Sequence, residues 1–329
     1  MEKDYKIAVL GPIPRDHITT YEGLEISKYG CVLYPVVALS RLVSSNSRII
    51  PVTHLRKIDE APVKALLAPF QNVDTDHITS EADQGDVISL VYVDQNKRLE
   101  RQTAFMNPIV PRDVENLLDS DAFVFVPVTD FEVALDTLQY LKKNSKGVII
   151  FDAHGPTNTC SRLGERVHRF WIDRDLWLPH IDILKMNLEE AGCSWYQKEY
   201  EPEDLEEITE LSLDELPKFA SHCLNHGVKA VYITLDEYGC AVYFKDKDGK
   251  VQEHFVKRCR VEQVVDTTGC GDSFAGGLAF GLLKTGDYVQ ACQYGNAMGA
   301  QRCVGTELAI YKSLTETEQQ IIETYGPSK

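Results

Sequence analysis

Short runs of apolar and β-branched residues recur along the chain, and helix-like stretches separate them. The apolar runs are Ile7–Leu10, Ala122–Val128, Gly147–Phe151, Ile181–Lys185 and Ala230–Leu235. The helix-like stretches are Val36–Leu42, Val114–Leu118, Phe131–Lys143 and Leu213–Asn225. An unbroken apolar run is typical of a strand covered on both faces, and strands that alternate with helices are typical of a parallel sheet. The sequence therefore predicts a doubly wound α/β fold, with a mostly parallel sheet flanked by helices.

Two stretches depart from this rhythm and favour antiparallel strands. Tyr21–Lys28 is polar and strand-like, and Asp86–Phe105 resembles two strands joined by a turn at residues 94–97. We expect insertions at about 14–29 and 86–106 to form a small β-sheet lid on a single domain that spans the whole chain.

A further hairpin is predicted near residue 250. Asp248-Gly249 lies between the apolar segments Val242–Phe244 and Val251–Phe255, and such a dipeptide favours a tight turn. This hairpin would add antiparallel strands to the predicted sheet.

The composition excludes several classes of partner. The 329 residues are 43% hydrophobic and 26% charged, as in ordinary globular proteins, and the formal net charge is −16. An acidic surface repels nucleic acid and anionic membranes, so we expect neither as a partner. No apolar stretch approaches the roughly 20 residues of a membrane-spanning helix, and the nine cysteines include no CxxC pair. We therefore expect a cytoplasmic protein with reduced thiols that acts on a small molecule.

The segment Asp266-Thr267-Thr268-Gly269-Cys270-Gly271-Asp272 combines a glycine turn with the start of an apolar helix. We call residues 269–271 the glycine turn. Glycines let the backbone N–H groups converge on one point, where a helix N-terminus adds roughly half a positive charge. A phosphate fits such a point, and Asp272 beside it could orient a hydroxyl group and accept its proton. The alternative is a purely structural role, in which Asp272 only caps the helix and the glycines only allow close packing. Gly-x-Gly-Asp by itself does not decide between the two.

The full segment closely resembles the C-terminal signature of the ribokinase or PfkB family of carbohydrate kinases, Asp-Thr-x-Gly-Ala-Gly-Asp, with Cys270 in place of alanine. The resemblance implies a ribokinase-like fold. It also implies that Asp272 is the catalytic base and that the amides of Gly269, Cys270 and Gly271 form the anion hole. The departure at Cys270 keeps a small side chain and the same backbone amide.

Other segments resemble the family's binding motifs for nucleotide and metal. Asn187-Leu188-Glu189-Glu190 is similar to the family's Asn-x-x-Glu, which implies that Glu190 holds Mg²⁺ indirectly, through water; a helix cap is the alternative interpretation. Thr234 to Gly239 is similar to Thr-x-Gly-x-x-Gly, although Asp236 replaces a glycine. The residues that the resemblance assigns to Mg²⁺-ATP are Asn187, Glu190, Thr234, Gly239, Thr268 and Asn296.

The resemblance also implies an acceptor site near the N-terminus. Gly11 to Asp16 follows the first strand as in the family's Gly-x-x-x-x-Asp, and Gly30 belongs to a segment similar to the family's first signature. Tyr34 stands where the family commonly has a sugar-binding Asn, so the acceptor need not be ribose. We therefore expect Asp16, Gly30 and Tyr34 to bind the acceptor.

Together these features predict a kinase that transfers phosphate from ATP to a hydroxyl of a sugar or sugar-like molecule. The family also implies a homodimer through the lid and a monovalent cation, K⁺, near Asp266. Two alternatives stay open. One is a nucleoside kinase on the same fold, in which Tyr34 stacks on a base, and the other is a sensor that binds nucleotide or sugar without catalysis.

Overall fold

The structure is a computed structural model and describes residues 3–93, 98–195 and 211–327. Its central feature is a nine-stranded sheet in the order β15-β14-β13-β12-β9-β8-β1-β4-β5. The strands from β13 to β5 in this order are parallel, whereas β14 and β15 run antiparallel at one edge. Their bounds are β1 Lys6–Leu10, β4 Arg48–His54, β5 Ile78–Thr79, β8 Ala122–Phe125, β9 Val148–Asp152, β12 Ile183–Asn187, β13 Ala230–Thr234, β14 Gly239–Lys245 and β15 Val251–Lys257.

Helices cover both faces of this sheet, and two hydrophobic clusters fill the layers between sheet and helices. Residues of α1, α7 and α8 belong to one cluster, and residues of α3, α5 and α6 belong to the other. The helices are α1 Leu33–Leu42, α2 Lys57–Leu67, α3 Leu135–Asn144, α4 Arg174–Trp177, α5 Leu188–Ser194, α6 Leu216–Asn225, α7 Cys270–Thr285, α8 Tyr288–Arg302 and α9 Leu314–Tyr325. The predicted doubly wound α/β class, with its mostly parallel sheet flanked by helices, is confirmed.

A second sheet of four strands, in the order β3-β2-β6-β7, is separate from the first. Its strands come from the two stretches in which a lid was expected: β2 Arg15–Thr19, β3 Glu25–Tyr29, β6 Val87–Tyr92 and β7 Arg98–Ala104. The expected turn at 94–97 lies outside the described residues. Whether this second sheet closes over a ligand, and whether the chain functions as one domain, stay predictions. A short hairpin of β10 (Asn158–Cys160) and β11 (Arg166–His168) completes the strands of the described part.

The hairpin near residue 250 forms as β14 and β15, with Gly249 at φ +77° in the turn. The predicted helix over Val114–Leu118 is instead a 3₁₀ turn at Glu115–Leu117. The helix expected from Phe131 begins only at Leu135. The reason is Glu132, whose buried carboxylate accepts hydrogen bonds from the Val128 amide and the Thr129 hydroxyl and holds these residues in a loop.

Strand β4 was not predicted, because Pro51 interrupts its apolar run. Proline removes one ladder donor, and strands therefore tolerate it best near a sheet edge. β4 lies there, between β1 and the two-residue β5.

Within the described residues, no helix is both long enough and apolar enough to cross a bilayer.

Candidate active site

The carboxyl ends of the parallel strands bring charged side chains into one cluster. Lys185 of β12 and Asp152 of β9 are direct partners in the strand register, so their side chains leave the sheet side by side. Lys185 Nζ donates to Asp152 Oδ2 at 2.6 Å, and both residues are buried. Although burial alone would lower the pKa of Lys185, the carboxylates of Asp152, Glu190 and Asp272 raise it above its ordinary value. Lys185 is therefore a fixed positive charge at the edge of the sheet.

Asn187 and Glu190 form a reciprocal cap at the start of α5. Asn187 Oδ1 accepts from the Glu190 amide at 2.7 Å, and Glu190 Oε2 accepts from the Asn187 amide at 2.8 Å. The other oxygen of Glu190 lies 2.7 Å from His154 Nδ1. Burial would raise the pKa of Glu190, but His154, Lys185 and the Asn187 amide lower it overall. The buried Glu190 is therefore an ionised carboxylate with both oxygens engaged.

His154 links Glu190 to Arg166. Its Nε2 lies 3.1 Å from Arg166 Nη2. Because a guanidinium can only donate, Nε2 accepts and Nδ1–H donates to Glu190. This arrangement gives His154 a hydrogen-bonding role, and it commits both ring nitrogens.

Asp272 lies in the first turn of α7, beside this cluster, and is half-buried. Burial raises the pKa of Asp272, while the Lys185 ammonium partly opposes the shift. The thiol of Cys31 lies 3.9 Å from Asp272 Oδ1. Cys31 itself adopts φ +50°, and its sulfur lies 3.0 Å from the Val126 carbonyl at the end of β8. Asp272 thus faces the same strand ends as Lys185.

The glycine turn opens α7, which is buried along most of its 16 residues. Gly269 is the N-cap and has φ +80°, which lets the backbone enter the helix. Gly271 is exposed, and a Cβ placed on it would lie 3.1 Å from Lys185 Nζ. The Lys185 ammonium therefore lies beside the α7 N-terminus at Gly271, while the Cys270 amide donates to the Thr267 carbonyl at 3.2 Å. An ammonium beside a helix N-terminus binds anions.

The residues predicted to bind the acceptor lie close together, and Asp16 itself belongs to β2 of the second sheet. A Cβ placed on Gly30 would lie 3.3 Å from Asp16 Oδ2 and 3.4 Å from Tyr34 Cε2. Asp16 is 6% exposed and Tyr34 only 3%. The Tyr34 ring packs against Gly269, since a Cβ at that glycine would lie 2.3 Å from Tyr34 Cδ2. Asp16 and Gly30 thus lie next to the glycine turn, with Tyr34 buried beneath them.

The residues predicted to hold the nucleotide form two groups. Thr234 ends β13, and its hydroxyl donates to the Met186 carbonyl of β12, so it adjoins Asn187. Gly239 and Asn296 both contact Val256 of β15, where the Asn296 amide group donates to the Val256 and Lys257 carbonyls.

The second of these groups is continuous with the glycine turn. A Cβ at Gly299, one turn after Asn296 on α8, would lie 3.3 Å from the Cys270 carbonyl. Thr268 immediately precedes the turn, and its amide donates to Asp266 Oδ1 at 2.9 Å. These placements are compatible with a nucleotide that runs from the turn toward α8, which stays a prediction.

Sequence reasoning missed three cationic residues at this site: Lys185, Arg166 and Arg302. Lys185 carried a signal, because a lysine between the apolar residues Leu184 and Met186 of a buried strand must find a buried partner. Arg166 lies in the β10–β11 hairpin, and this hairpin brings it to His154. Arg302 lies at the end of α8, and its long-range partners Asp266 and Tyr34 cannot be deduced from its sequence neighbours.

The donor set suits hydrated magnesium better than direct ligation. Mg²⁺ prefers oxygen ligands and usually keeps several waters. Glu190 offers carboxylate oxygens, but both already accept hydrogen bonds. A bond to Mg²⁺ through water therefore fits this carboxylate, as the family motif implied.

Comparisons with known proteins identify the fold and the family of this chain. Among solved structures, the ribokinase of Arabidopsis thaliana complexed with ribose and ATP superposes with a TM-score of 0.71 at 15% sequence identity, over 97% of this chain and 99% of that one. The fold is therefore the ribokinase fold. The model of the pfkB family of carbohydrate kinases matches residues 116–312, and the chain belongs to that family.

Two curated relatives match over shorter stretches. The chain is 43% identical over 81 residues to the 2-dehydro-3-deoxygluconokinase of Bacillus subtilis (strain 168), which is 25% of this chain and 24% of that protein. It is 39% identical over 70 residues to the inositol 3-kinase of Arabidopsis thaliana, which is 21% of this chain and 18% of that protein. The chain thus matches a quarter or less of the length of these two relatives.

Proposed function

We propose that this protein transfers the terminal phosphoryl group of ATP to a hydroxyl of a sugar or polyol, with Asp272 as the base. The observation that carries the proposal is the convergence of Asp272, the glycine turn and Lys185 at the carboxyl edge of the sheet. Phosphoryl transfer requires a carboxylate to orient the attacking hydroxyl and fixed positive dipoles to hold the phosphoryl oxygens. The cluster offers both within one turn of α7.

Each of these groups has its own role in the reaction. Asp272 accepts the hydroxyl proton as the alcohol oxygen bonds to phosphorus, and the bond from phosphorus to the bridging oxygen of ADP breaks. The amides of Gly269, Cys270 and Gly271 hold the charge that develops on the phosphoryl oxygens. Lys185 adds a full positive charge beside Gly271. Since it is held by Asp152, this ammonium needs no rearrangement during transfer.

Glu190 and Asn187 would hold Mg²⁺ through its waters. When bound, the ion neutralises charge on the phosphates of ATP. The contribution of the chain is to fix Glu190 in its ionised form, through His154 and the α5 cap.

The acceptor is a polyhydroxylated molecule rather than a nucleoside. Asp16 is a buried carboxylate beside Gly30, and carboxylates accept hydrogen bonds from hydroxyl groups. The nucleoside alternative required Tyr34 to stack on a base, but both its 3% exposure and its contact with Gly269 leave the ring without an open face. The names of the two curated relatives, a deoxygluconokinase and an inositol kinase, support the same class of acceptor.

The second sheet would serve as a lid and as a dimer surface. Lys28 of β3 reaches Asp266 next to the glycine turn, which links this sheet to the site. Val91 and Leu99 are strand partners and both exposed, so a second copy could cover them.

A coupled assay of ADP release with Mg²⁺-ATP tests the proposal. The acceptor panel contains 2-dehydro-3-deoxygluconate, myo-inositol, ribose, fructose, adenosine and inosine. We expect acceptor-dependent ADP formation with at least one sugar or polyol, and no such formation with either nucleoside. A folded protein that binds ATP but forms no ADP with any acceptor would favour the non-catalytic sensor instead.

A further inference from the structure

Arg302 is a completely buried cation behind the glycine turn. It is the last residue of α8, and its side chain has 0% exposure. Nη2 donates to Asp266 Oδ2 at 3.1 Å, and Nη1 donates to the Gly305 carbonyl. The guanidinium carbon also lies 4.7 Å from the centroid of the Tyr34 ring, a cation–π distance. One side chain therefore ties three chain segments together.

The carboxylate of Asp266 is fully engaged by groups of the chain. Its Oδ1 accepts from the Thr268 amide at 2.9 Å, and its Oδ2 is shared by Arg302 and by Lys28 at 3.3 Å. Burial would raise the pKa of Asp266, but these three donors lower it overall. One negative charge thus faces two positive charges.

The same groups occupy the ligands that a monovalent cation would need. Carboxylate and carbonyl oxygens bind such a cation, and the oxygens of this kind around Arg302 include those of Asp266 and Gly305. Both already accept from Arg302. A further cation would have to displace a buried guanidinium. It would also lie close to the Lys28 ammonium, and two like charges in close contact repel each other. The donor set therefore does not fit the K⁺ site that family resemblance led us to expect near Asp266.

We infer that Arg302 is the resident cation of the Asp266 turn, and that it positions the glycine turn without any dissociable monovalent ion. Two short series of contacts connect Arg302 to the glycine turn. The guanidinium holds Asp266, which holds the Thr268 amide, and its face packs on Tyr34, whose ring packs on Gly269. Arg302 is thus a positioning residue, and Tyr34 transmits its position. The catalytic half of this inference rests on the proposed kinase function.

The first test uses the unmodified protein without substrates. Its melting temperature is compared in KCl, NaCl and tetramethylammonium chloride at equal ionic strength. We expect the same value in all three salts, because no specific cation site is open. A melting temperature that rises selectively with K⁺ would overturn the inference, whether or not the protein is a kinase.

The second test uses Arg302→Met, with Lys28→Met as the matched control. Lys28 shares Asp266 Oδ2 with Arg302, but its side chain is partly exposed and lies on β3 rather than behind the glycine turn. We expect Arg302→Met to weaken ADP binding, measured by calorimetry, by about tenfold or more, the size expected for lost charge-assisted hydrogen bonds. Millimolar methylguanidinium or K⁺ should restore part of the binding, and Lys28→Met should show neither effect.

The third test separates the inference from the proposed function. Where turnover is measurable, wild-type kcat should be equal in the three salts, while the kcat of Arg302→Met should depend on the added cation. Equal loss of ADP binding in Arg302→Met and Arg302→Lys, without rescue by either cation, would contradict a positioning charge. The melting and ADP-binding measurements remain decisive if no acceptor supports turnover.

Discussion

The ring of Tyr34 lies directly against Gly269, at the point where the chain turns into α7. A Cβ at position 269 would lie 2.3 Å from Tyr34 Cδ2, and the glycine has φ +80°. Both the backbone conformation and the space at this position therefore require glycine. Tyr34 in turn is held from behind by Arg302. The shape of the glycine turn is thus set by packing as well as by its own backbone.

Gly269→Ala should destabilise the protein and distort the glycine turn. A non-glycine residue in the left-handed region costs about 1–3 kcal/mol, and forcing a methyl group into the Tyr34 ring adds about 1–3 kcal/mol. The free energy of unfolding in urea measures the sum, and affinity for ADP measures the distortion.

Gly249→Ala is the matched control for this substitution. Gly249 has nearly the same φ, +77°, but no atom would lie within 4 Å of its Cβ. Gly249→Ala should therefore lose only the free energy that the left-handed backbone conformation costs, and its affinity for ADP should be unchanged. Equal losses of stability in the two variants would show that the contact with Tyr34 contributes nothing.

Much of the fold could be predicted from local sequence, whereas the long-range contacts between the site residues could not. The buried strands carry their own signal in apolar runs such as Ala230–Thr234, and the ribokinase-like fold is confirmed. The start of α3 was misplaced because Glu132 captures the preceding loop by side-chain bonds that no periodicity shows. Strand β4 was missed for another reason, because Pro51 interrupts its apolar run.

The glycine turn and Asp272 were recognisable because they are contiguous in sequence. The partners that fix the charges around them are not. Lys185 lies 87 positions before Asp272, and Arg302 lies 36 positions after Asp266. Tyr34, expected to touch the acceptor, lies in the structure beneath the turn, so its contact with the acceptor stays an untested prediction.

Asp272→Asn should lower turnover at least about a hundredfold while ADP affinity stays close to wild type, because a lost general base affects the proton transfer rather than nucleotide binding. The variant should also be more stable at neutral pH. Since burial raises the pKa of Asp272, the folded state holds this proton more tightly than the unfolded state. Stability is therefore lost as pH rises from the ordinary pKa of an aspartate to the raised pKa of the folded state, and a neutral amide avoids this loss.

Steady-state kinetics and thermal melting measure these two effects on the same sample. Asp248→Asn, an exposed position in the β14–β15 turn, removes the same charge and should change neither. A stable Asp272→Asn protein with near-normal turnover would remove Asp272 from the role of base.

Lys185→Met should shift the acid limb of the pH–rate profile to higher pH. The base acts only when ionised, so turnover falls as pH drops through the pKa of Asp272. Lys185 lowers that pKa, and its removal should raise it. The substitution also leaves Asp152 buried without its partner, which typically costs 3–5 kcal/mol.

Two further variants interpret this result. Asp152→Asn combined with Lys185→Met removes both charges and should recover much of the stability without moving the acid limb back. Lys229→Met removes an exposed lysine from the buried Asp182, which keeps its second partner Lys142, so we expect a loss of about 0–1 kcal/mol and an unchanged profile. An acid limb that stays in place in Lys185→Met would show that the ammonium does not act on Asp272.

Glu190→Gln should weaken the binding of magnesium more than it weakens the fold. The amide can still accept from the Asn187 amide, so most of the α5 cap survives, whereas the negative charge near the phosphates is lost. Groups that hold a metal through other ligands typically change metal affinity by 10- to 100-fold, and the concentration of Mg²⁺ that gives half-maximal turnover should rise by a similar factor. Glu189→Gln, the next residue on the same helix, pairs with His168 instead and should leave this concentration unchanged. Identical magnesium curves for the two variants would assign Glu190 to the helix cap alone, because the cap is the one function that does not require its charge.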